Sequence, residues 1–388
     1  MQLDFTYVNP TKIYFGENSI NNLKNEMDSY GSTIMLAYGG GSIKKIGLYD
    51  EIVSILRACD KSIIEFSGIM PNPTAKKVYE GIEIAKTNHV DFILAVGGGS
   101  VIDCAKAVAI GAFCGDDFWS KFFENKETPE KAIPIGSILT MTGTGSEMNG
   151  NAVITNEEKK IKSGINYLLV YPKFSILNPK YTYSVPQYQM VSGICDILSH
   201  LMEVYFSEPD EDNLSDDLTE AIMKNVIRNA RVAVKNPEDY TARSNLMWAA
   251  TWAINGLIKC SKKTDWEVHQ IEHQIAAYYD IAHGMGLAAV SASYYRLIYK
   301  YGIERFKRFA VNVWNVNPEN KSDDMVALEG IDCLENFFKE IGATTTLSEL
   351  GIPNDDTLVD IANSCNLLTR GYKTLTHADV LDILKTSM

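Results

Sequence analysis

The pattern of hydrophobic and polar positions divides the chain near residue 183. Before that point, short apolar runs lead into turns: TIMLAY (33–38), SIIEF (62–66), FILAV (92–96) and AIPIGSIL (132–139). Segments with helical periodicity, such as residues 72–88, separate these runs. This alternation is typical of parallel strands joined by helices, so it predicts an α/β domain.

The second half of the chain has a helical pattern instead. Leu218, Ile222 and Val226 fall on one face of one predicted helix, and apolar residues within 334–341 line another that Gly342 can end. Strand patterns are weak throughout this half. We therefore expect an α/β domain followed by an all-helical domain.

Length and charge support this division and narrow the function. At 388 residues the chain exceeds the ~250–300 residues at which a single core stops growing, so we place two domains at residues 1–183 and 184–388. Lys and Arg total 36 against 49 for Asp and Glu, which gives a net charge of −13. A protein this acidic is poorly suited to bind nucleic acid or an anionic membrane surface.

The N-terminal sequence, the apolar segments and the cysteines are typical of a cytoplasmic protein. The opening residues carry Asp4 and polar positions where a signal peptide would have an apolar stretch, and the most apolar region, residues 92–113, is interrupted by Asp103 and Lys106. The seven cysteines are odd in number and never spaced as C-x-x-C, so we interpret them as reduced thiols. We expect a cytoplasmic protein without a membrane span.

Two predicted strands end in the same glycine-rich turn. In AVGGGSVIDCAK (95–106), glycines between a strand and a helix would let backbone N–H groups approach a diphosphate, although they also suit a simple tight turn. In AYGGGSIKK (37–45), the turn has no carboxylate for a ribose 2′-hydroxyl but has Ser42, Lys44 and Lys45. This favours NADP(H) over NAD(H), unless the two lysines are merely solvated.

A third stretch, LTMTGTGSEMNGNAVIT (139–155), is dense in hydroxyl groups and glycines. Such a loop suits a bound diphosphate or ribose, and it also suits an ordinary polar loop. Neither a P-loop nor a protein-kinase motif set is present, so phosphoryl transfer has little support.

Histidines and one aspartate suggest a metal site in the second half. His269 and His273 are spaced i, i+4 on one helix face, and His283 follows a predicted helix break. Asp196 and His200 have the same spacing on another apolar helix, where an unpaired carboxylate would be costly to bury. Packed core histidines are the ordinary alternative, but a carboxylate with several imidazoles fits a site for Fe²⁺ or Zn²⁺.

The segment HQIEH (269–273) also satisfies the H-x-x-E-H pattern of some metalloproteases, with Glu272 as general base. A five-residue pattern arises readily by chance. This interpretation leaves the glycine-rich turns and the Asp196 and His200 pair without a role, so we treat it as a remote alternative.

Several long, ordered motifs resemble those of the iron-containing, or group III, alcohol dehydrogenase family. They run nearly end to end: NPTKIYFG, GGGSIKKIGLYDE, GGGSVIDCAK, TGTGSEMN, GICDILSHLMEVYF, ARSNLMWAATWAINGL and WEVHQIEHQIAAYYDIAHGMGLA. Within that family the chain resembles the bacterial NAD(P)H-dependent butanol dehydrogenase branch. The resemblance implies a dehydroquinate synthase-like fold, with a dinucleotide-binding domain, a helical metal domain, an active site in the cleft between them and a homodimer.

The resemblance also implies roles for individual residues. The family's metal ligands correspond to Asp196, His200, His269 and His283, and His273 matches a further histidine near nicotinamide and substrate. The positions implied to bind the cofactor are Gly40, Gly41, Ser42, Asn72, Gly98, Gly99, Ser100, Asp103, Thr140, Thr142, Ser146, Asn149, Lys162 and Tyr181.

The implied reaction interconverts short-chain primary alcohols such as butanol with their aldehydes. The metal polarises the aldehyde oxygen while NADP(H), or alternatively NAD(H), transfers hydride. We hypothesise that His273 donates or relays the proton that the product alkoxide needs, the alternative being that it only positions substrate or nicotinamide. A dehydroquinate synthase-like lyase and a non-catalytic nucleotide-binding protein are the other function classes to consider.

Overall fold

A computed structural model describes residues 3–115 and 117–388. The chain forms two compact units. One spans residues 8–185, and the other combines residues 186–388 with the N-terminal residues up to Tyr7. The architecture expected from the sequence, an α/β unit followed by a helical unit, is confirmed.

The observed unit boundaries differ from the expected division at residues 183 and 184. The N-terminal segment belongs with the helices and not with the sheet, and one reason is that the Leu3 backbone N–H donates to the Ser261 hydroxyl oxygen at 2.8 Å. Local sequence patterning carries no signal for such a distant contact.

The α/β unit is built on a parallel sheet. Among the described residues its strands are Lys12–Phe15 (β1), Thr33–Tyr38 (β2), Ser62–Phe66 (β3), Phe92–Gly97 (β4), Ile135–Leu139 (β5), Asn151–Asn156 (β6), Ile161–Asn166 (β7) and Phe174–Leu177 (β8). Six of these described strands form the sheet in the order β1-β8-β5-β4-β2-β3, and β6 pairs with β7 in a separate antiparallel hairpin. The helices of this unit are Leu23–Met27 (α1), Ser42–Lys45 (α2), Leu48–Ala58 (α3), Ala75–Thr87 (α4) and Gly99–Gly111 (α5).

The central strands have almost continuously apolar sequences because both of their faces are covered. Every residue of β4 and β5 is buried, as is usual for parallel strands covered on both faces. Strand β5 needs Gly136, because a Cβ there would lie 2.5 Å from the Phe174 ring. Its one polar side chain, Ser137, donates to the Ser175 hydroxyl oxygen at 2.7 Å, so burial leaves that group satisfied.

The strand order reverses between β2 and β4. From β2 the chain continues outward to β3 and then returns to place β4 on the other side of β2. In open parallel sheets, ligands bind beyond the carboxyl ends of the strands at such a switch point. Both GGGS turns of the sequence directly follow these two strands.

The second unit is helical. Its described helices are Gln187–Tyr205 (α6), Leu214–Ala233 (α7), Tyr240–Ile254 (α8), Glu267–Tyr279 (α9), His283–Ile298 (α10), Ile303–Trp314 (α11), Asp323–Glu340 (α12), Thr357–Ser364 (α13) and His377–Thr386 (α14). Helix α6 is the core element, because every residue from Met190 to Tyr205 is buried. Helix α12 ends before Gly342, whose φ of +80° is in the left-handed region, as the sequence predicted. None of the described helices combines the length and apolarity needed to cross a membrane.

Candidate functional site

Helix α6 positions the first two candidate metal ligands. Asp196 and His200 are one turn apart on this buried helix, and each side chain is only 5% exposed. A carboxylate in such surroundings requires a compensating charge or a metal ion. The spacing noted in the sequence is therefore that of two polar groups on one face of a core helix.

Helices α9 and α10 bring the remaining histidines to the same place. Helix α9 carries His269 and His273 and ends at Asp280, whose φ is +47°, and α10 begins with His283. The N-terminus of α10 touches α6, since a Cβ on Gly284 would lie 1.8 Å from the Ser192 carbonyl oxygen. Glycine at position 284 thus permits the close approach that brings His283 to Asp196.

One carboxylate oxygen is the centre of the cluster. Asp196 Oδ1 lies 3.3 Å from His200 Nε2, 3.7 Å from His269 Nε2 and 3.6 Å from His283 Nε2. Ligands about 2.1 Å from a tetrahedral ion are separated by about 3.4 Å, so these distances suit one divalent metal. Asp196 Oδ1 and His269 Nε2 are buried without a hydrogen-bond partner in the described chain. The residues present therefore fit a metal ion.

Two buried glutamates orient the imidazoles. Glu203 Oε2 lies 2.7 Å from His269 Nδ1, and Glu272 Oε2 contacts His283 Nδ1. When Nδ1 donates to a carboxylate, the tautomer is fixed and Nε2 is left as the metal-binding nitrogen. Sequence analysis missed Glu203 and considered Glu272 only as a protease base. Glu203 lies seven residues after Asp196 and three after His200 on an apolar helix, a spacing that could have identified it.

The charge states differ among the donors. Burial opposes ionisation of Asp196, but the adjoining imidazoles, above all His200, hold its pKa below the ordinary value. Burial lowers the pKa of His200 to about 3. Burial also opposes protonation of His269, but Glu203 and Asp196 outweigh it and raise the pKa to about 10. Because a ligand imidazole must be deprotonated, a metal ion bound here would displace a proton from His269.

His273 borders the cluster from the next turn of α9. Its ring centre lies 6.1 Å from that of His269 and 5.6 Å from that of His283. Its ligand atom and those of Glu272 and His283 lie within 4.8 Å of one another, so it is close to the donor set. This position is compatible with contact to a substrate held beside the metal.

The α/β unit contains a candidate cofactor site of its own. The turn after β4 leads directly into α5, whose N-terminus receives no side-chain cap from the described residues. The glycines there also have packing reasons: a Cβ on Gly99 would lie 2.1 Å from the Thr144 hydroxyl oxygen, and one on Gly98 would lie 3.0 Å from Met141. The loop after β5 thus lies against the start of α5, and uncapped N–H groups with a helix dipole favour an anion.

A buried lysine holds that loop in place. Lys106 Nζ donates to Ser146 O and Oγ at 2.7 Å each, to Asn149 Oδ1 at 3.1 Å and to Asn151 O at 2.8 Å. Ser146 Oγ donates in turn to Asp103 Oδ1 at 2.5 Å. Three side chains expected at the cofactor, those of Asp103, Ser146 and Asn149, are therefore joined in one internal network. Sequence analysis noted Lys106 only as an interruption of an apolar run.

The other expected cofactor residues follow strand ends of the same sheet. Gly40, Gly41 and Ser42 follow β2, Thr140 and Thr142 follow β5, and Tyr181 follows β8. Because the strands are parallel, these turns share one edge of the sheet with the Gly98–Ser100 turn. Lys162 lies apart, in the β6 and β7 hairpin, which is tied to the loop containing Asn72 by the bond from Thr155 N–H to Pro73 O at 2.9 Å.

Nearly the whole chain is similar to known proteins of one family. The model described as iron-containing alcohol dehydrogenase matches residues 10–179, and that of the C-terminal region of the same family matches residues 190–388. A probable NADH-dependent butanol dehydrogenase of Bacillus subtilis is 41% identical and covers 99% of this chain and 100% of its own. An NADPH-dependent aldehyde reductase of Escherichia coli is 34% identical and covers 90% and 89%. The crystal structure of a Thermotoga maritima NADH-dependent butanol dehydrogenase matches with a TM-score of 0.94 and 38% identity over 99% and 98% of the two chains.

Proposed function

Because the chain belongs to the iron-containing alcohol dehydrogenase family, we propose that it interconverts short-chain primary alcohols and their aldehydes by hydride transfer with a nicotinamide cofactor. The observation that carries this proposal is the meeting of three imidazole nitrogens at Asp196 Oδ1. Relatives named as butanol dehydrogenases and as an aldehyde reductase support the same class of substrate.

Asp196, His200, His269 and His283 are the proposed ligands of an Fe²⁺ or Zn²⁺ ion. Such an ion supplies a Lewis acid that stabilises negative charge on the substrate oxygen, and a nicotinamide supplies the hydride. Glu203 and Glu272 keep Nε2 of His269 and His283 directed at the ligand position. The side chains of Asp196, His200 and His269 are only 5–7% exposed, which would limit the access of bulk water to the ion.

His273 is the proposed proton donor or relay. An alcohol product needs a proton on its oxygen, and an imidazole beside the donor set is a suitable source. The same location would also allow His273 to position substrate or nicotinamide only. A proton role predicts an altered pH dependence on substitution, whereas pure positioning predicts a change in KM.

The cofactor is proposed to lie along the carboxyl edge of the sheet. The N-terminus of α5, with Gly98, Gly99 and Ser100, would receive the diphosphate. Thr140 and Thr142 would border it, while Asn72, Lys162 and Tyr181 would contact its ribose and adenosine parts. Asp103, Ser146 and Asn149 would shape the loop through their shared network. Gly40, Gly41 and Ser42 offer no carboxylate to repel a 2′-phosphate, which supports a preference for NADP(H).

The test is the initial rate of butanal reduction by protein purified without oxygen. NADPH and NADH would be compared, each with and without added Fe²⁺ or Zn²⁺. We expect a metal-dependent rate that is higher with NADPH. A higher rate with NADH would overturn the cofactor preference but not the enzyme class, and no reduction of any short aldehyde by metal-loaded protein would overturn the proposed function.

A further inference from the structure

A charged cluster adjoins the glycine turn that follows β2. The carboxylate of Glu65, on the neighbouring edge strand β3, accepts hydrogen bonds from the hydroxyls of Tyr38, at 2.5 Å, and Tyr49. The Lys44 ammonium lies 3.7 Å from Glu65 Oε2. It also lies 4.4 Å from the ring centre of Tyr49 and 5.1 Å from that of Tyr38. Lys44 is thus held by a carboxylate and two aromatic faces.

This cluster is fastened to the turn itself. Tyr38 is the last residue of β2 and immediately precedes Gly39, while Lys44 lies on the short helix that starts at Ser42. The chain leaving β3 is bonded to the same turn, because Gly68 N–H donates to Gly39 O at 3.2 Å. The Glu65 carboxylate is therefore a fixed neighbour of the turn, although it stands 27 residues beyond Tyr38 in the sequence.

Both charges are present at neutral pH. The hydrogen bonds from Tyr38 and Tyr49 lower the pKa of Glu65, and contact with the Tyr38 hydroxyl raises the pKa of Lys44. The ammonium that makes this turn look suited to a 2′-phosphate is consequently already compensated. A 2′-phosphate placed here would meet an attractive lysine and a repulsive carboxylate together.

We propose that Glu65 is a cofactor-selectivity residue, whose carboxylate compensates Lys44 and so lowers the preference of the enzyme for NADPH over NADH. The inference rests on the proposed function, because it assumes that Gly40, Gly41 and Ser42 receive the ribose of a nicotinamide cofactor. It predicts that both cofactors are used, with a ratio governed by one side chain outside the turn.

The decisive variant is Glu65→Gln, which keeps the shape and the hydrogen-bond acceptor but removes the charge. Removing one negative charge several ångströms from a solvated phosphate should raise the NADPH to NADH affinity ratio about fivefold to tenfold. The matched control is Glu80→Gln, which removes the carboxylate from the Lys77 ion pair on α4 and should leave the ratio unchanged. Both affinities would be measured by cofactor fluorescence on metal-free protein, and kcat/KM with butanal on metal-loaded protein.

Lys44→Gln should change the NADPH to NADH affinity ratio in the opposite direction. In the parent protein Lys44→Gln should lower the NADPH to NADH affinity ratio. In the Glu65→Gln background the same substitution should lower the ratio by a larger factor, because the freed ammonium then carries more of the phosphate affinity. A ratio that stays within twofold of the parent in Glu65→Gln, or that falls, would overturn the inference.

The two readouts separate the inference from the proposed function. If the enzyme reduces butanal but Glu65→Gln does not change the NADPH to NADH affinity ratio, the alcohol dehydrogenase proposal stands and the role of Glu65 is rejected. A ratio that shifts as expected in binding, without aldehyde reduction by any metal-loaded sample, would reject the proposed reaction and support the selectivity residue.

Discussion

Each unit of the protein buries a cluster of polar side chains that includes expected site residues, and these two clusters differ in completeness. In the α/β unit, Lys106 donates to four oxygen acceptors between 2.7 and 3.1 Å. In the helical unit, Asp196 Oδ1 and His269 Nε2 are equally buried but find no hydrogen-bond partner among the described residues. A buried polar group without a partner costs about 1–3 kcal/mol, a cost that an ion bound to these two atoms would offset.

The difference suggests distinct purposes for the two clusters. The Lys106 network is closed, and we interpret it as the support of the loop against α5. The Asp196 cluster is open at one point, where its unpaired atoms meet, and we interpret it as a ligand site. Substitutions in the Lys106 cluster should therefore lower stability and leave metal binding intact. Substitutions in the Asp196 cluster should lower metal affinity and leave stability largely intact.

The largest effect is expected from Asp196→Ala. Loss of the central oxygen should reduce metal affinity by at least about a thousandfold and bring aldehyde reduction to background, because no other carboxylate oxygen replaces it among the ligands. Metal content by plasma mass spectrometry and the butanal assay would measure this. Asp103→Asn is the control, since it removes a buried carboxylate from the closed cluster and should retain metal. An Asp196→Ala protein with stoichiometric metal would contradict the assignment of the open cluster.

Lys106→Met should break the closed cluster. The substitution removes the positive charge near the buried Asp103 and leaves the oxygen acceptors of Lys106 without their donor, so the free energy of unfolding should fall by about 3–5 kcal/mol. Denaturant unfolding would measure the loss, and metal content per folded molecule should stay at the parent value. Loss of metal with unchanged stability would reverse the roles assigned to the two clusters.

The pH dependence of stability provides a second test of Lys106. Burial lowers the pKa of Lys106 to about 8 from its ordinary value of 10.5. Between these two pH values the unfolded chain binds more protons than the folded protein, so this residue makes the free energy of unfolding rise with pH. Lys106→Met should lack that rise between pH 8 and 10.5, and an identical slope in both proteins would show that the lysine is not so perturbed.

The same contrast explains what sequence could predict. Candidate ligand pairs at i, i+4, such as Asp196 with His200, are visible because helical spacing alone puts them on one face. The strands β2, β4 and β5 are visible because burial on both faces makes them almost continuously apolar. The short strands β1 and β8, with four residues each, carry too little pattern to be recognised.

Contacts between segments that are far apart in the sequence could not be predicted from it. The acceptors of Lys106 are 40 to 45 residues away, so no local spacing indicates that this lysine supports the loop. Glu65 was missed for the same reason, since its link to Tyr38 depends on the register of β2 against β3. Tertiary register, and not residue type, determined which charges belong to the candidate sites.

Glu203→Gln would test whether the carboxylate beside His269 Nδ1 supports metal binding in the open cluster. The amide can still accept a hydrogen bond from His269 but no longer supplies negative charge, so metal affinity should fall about 10-fold to 100-fold. Competition with a chelator of known affinity would measure this. Glu220→Gln is a matched control, because Glu220 is also a buried acid of the helical unit but pairs with Tyr205 and Arg308. An equal loss of metal affinity in both variants would indicate general destabilisation and not a role for Glu203 at the site.

The smallest effect is expected at His273, whose ring borders those of His269 and His283 in the open cluster. His273→Gln should retain metal and lower kcat about tenfold, because a glutamine side chain can hydrogen-bond to substrate but cannot transfer a proton at neutral pH. The kcat profile against pH should lose the ionisation that a proton-donating imidazole contributes, while KM for butanal changes little. If KM rises and the pH profile is unchanged, His273 positions substrate and the proton comes from elsewhere. Metal loss in this variant would instead extend the open cluster to a fifth ligand, since His273 already lies within ligand range of Glu272 and His283.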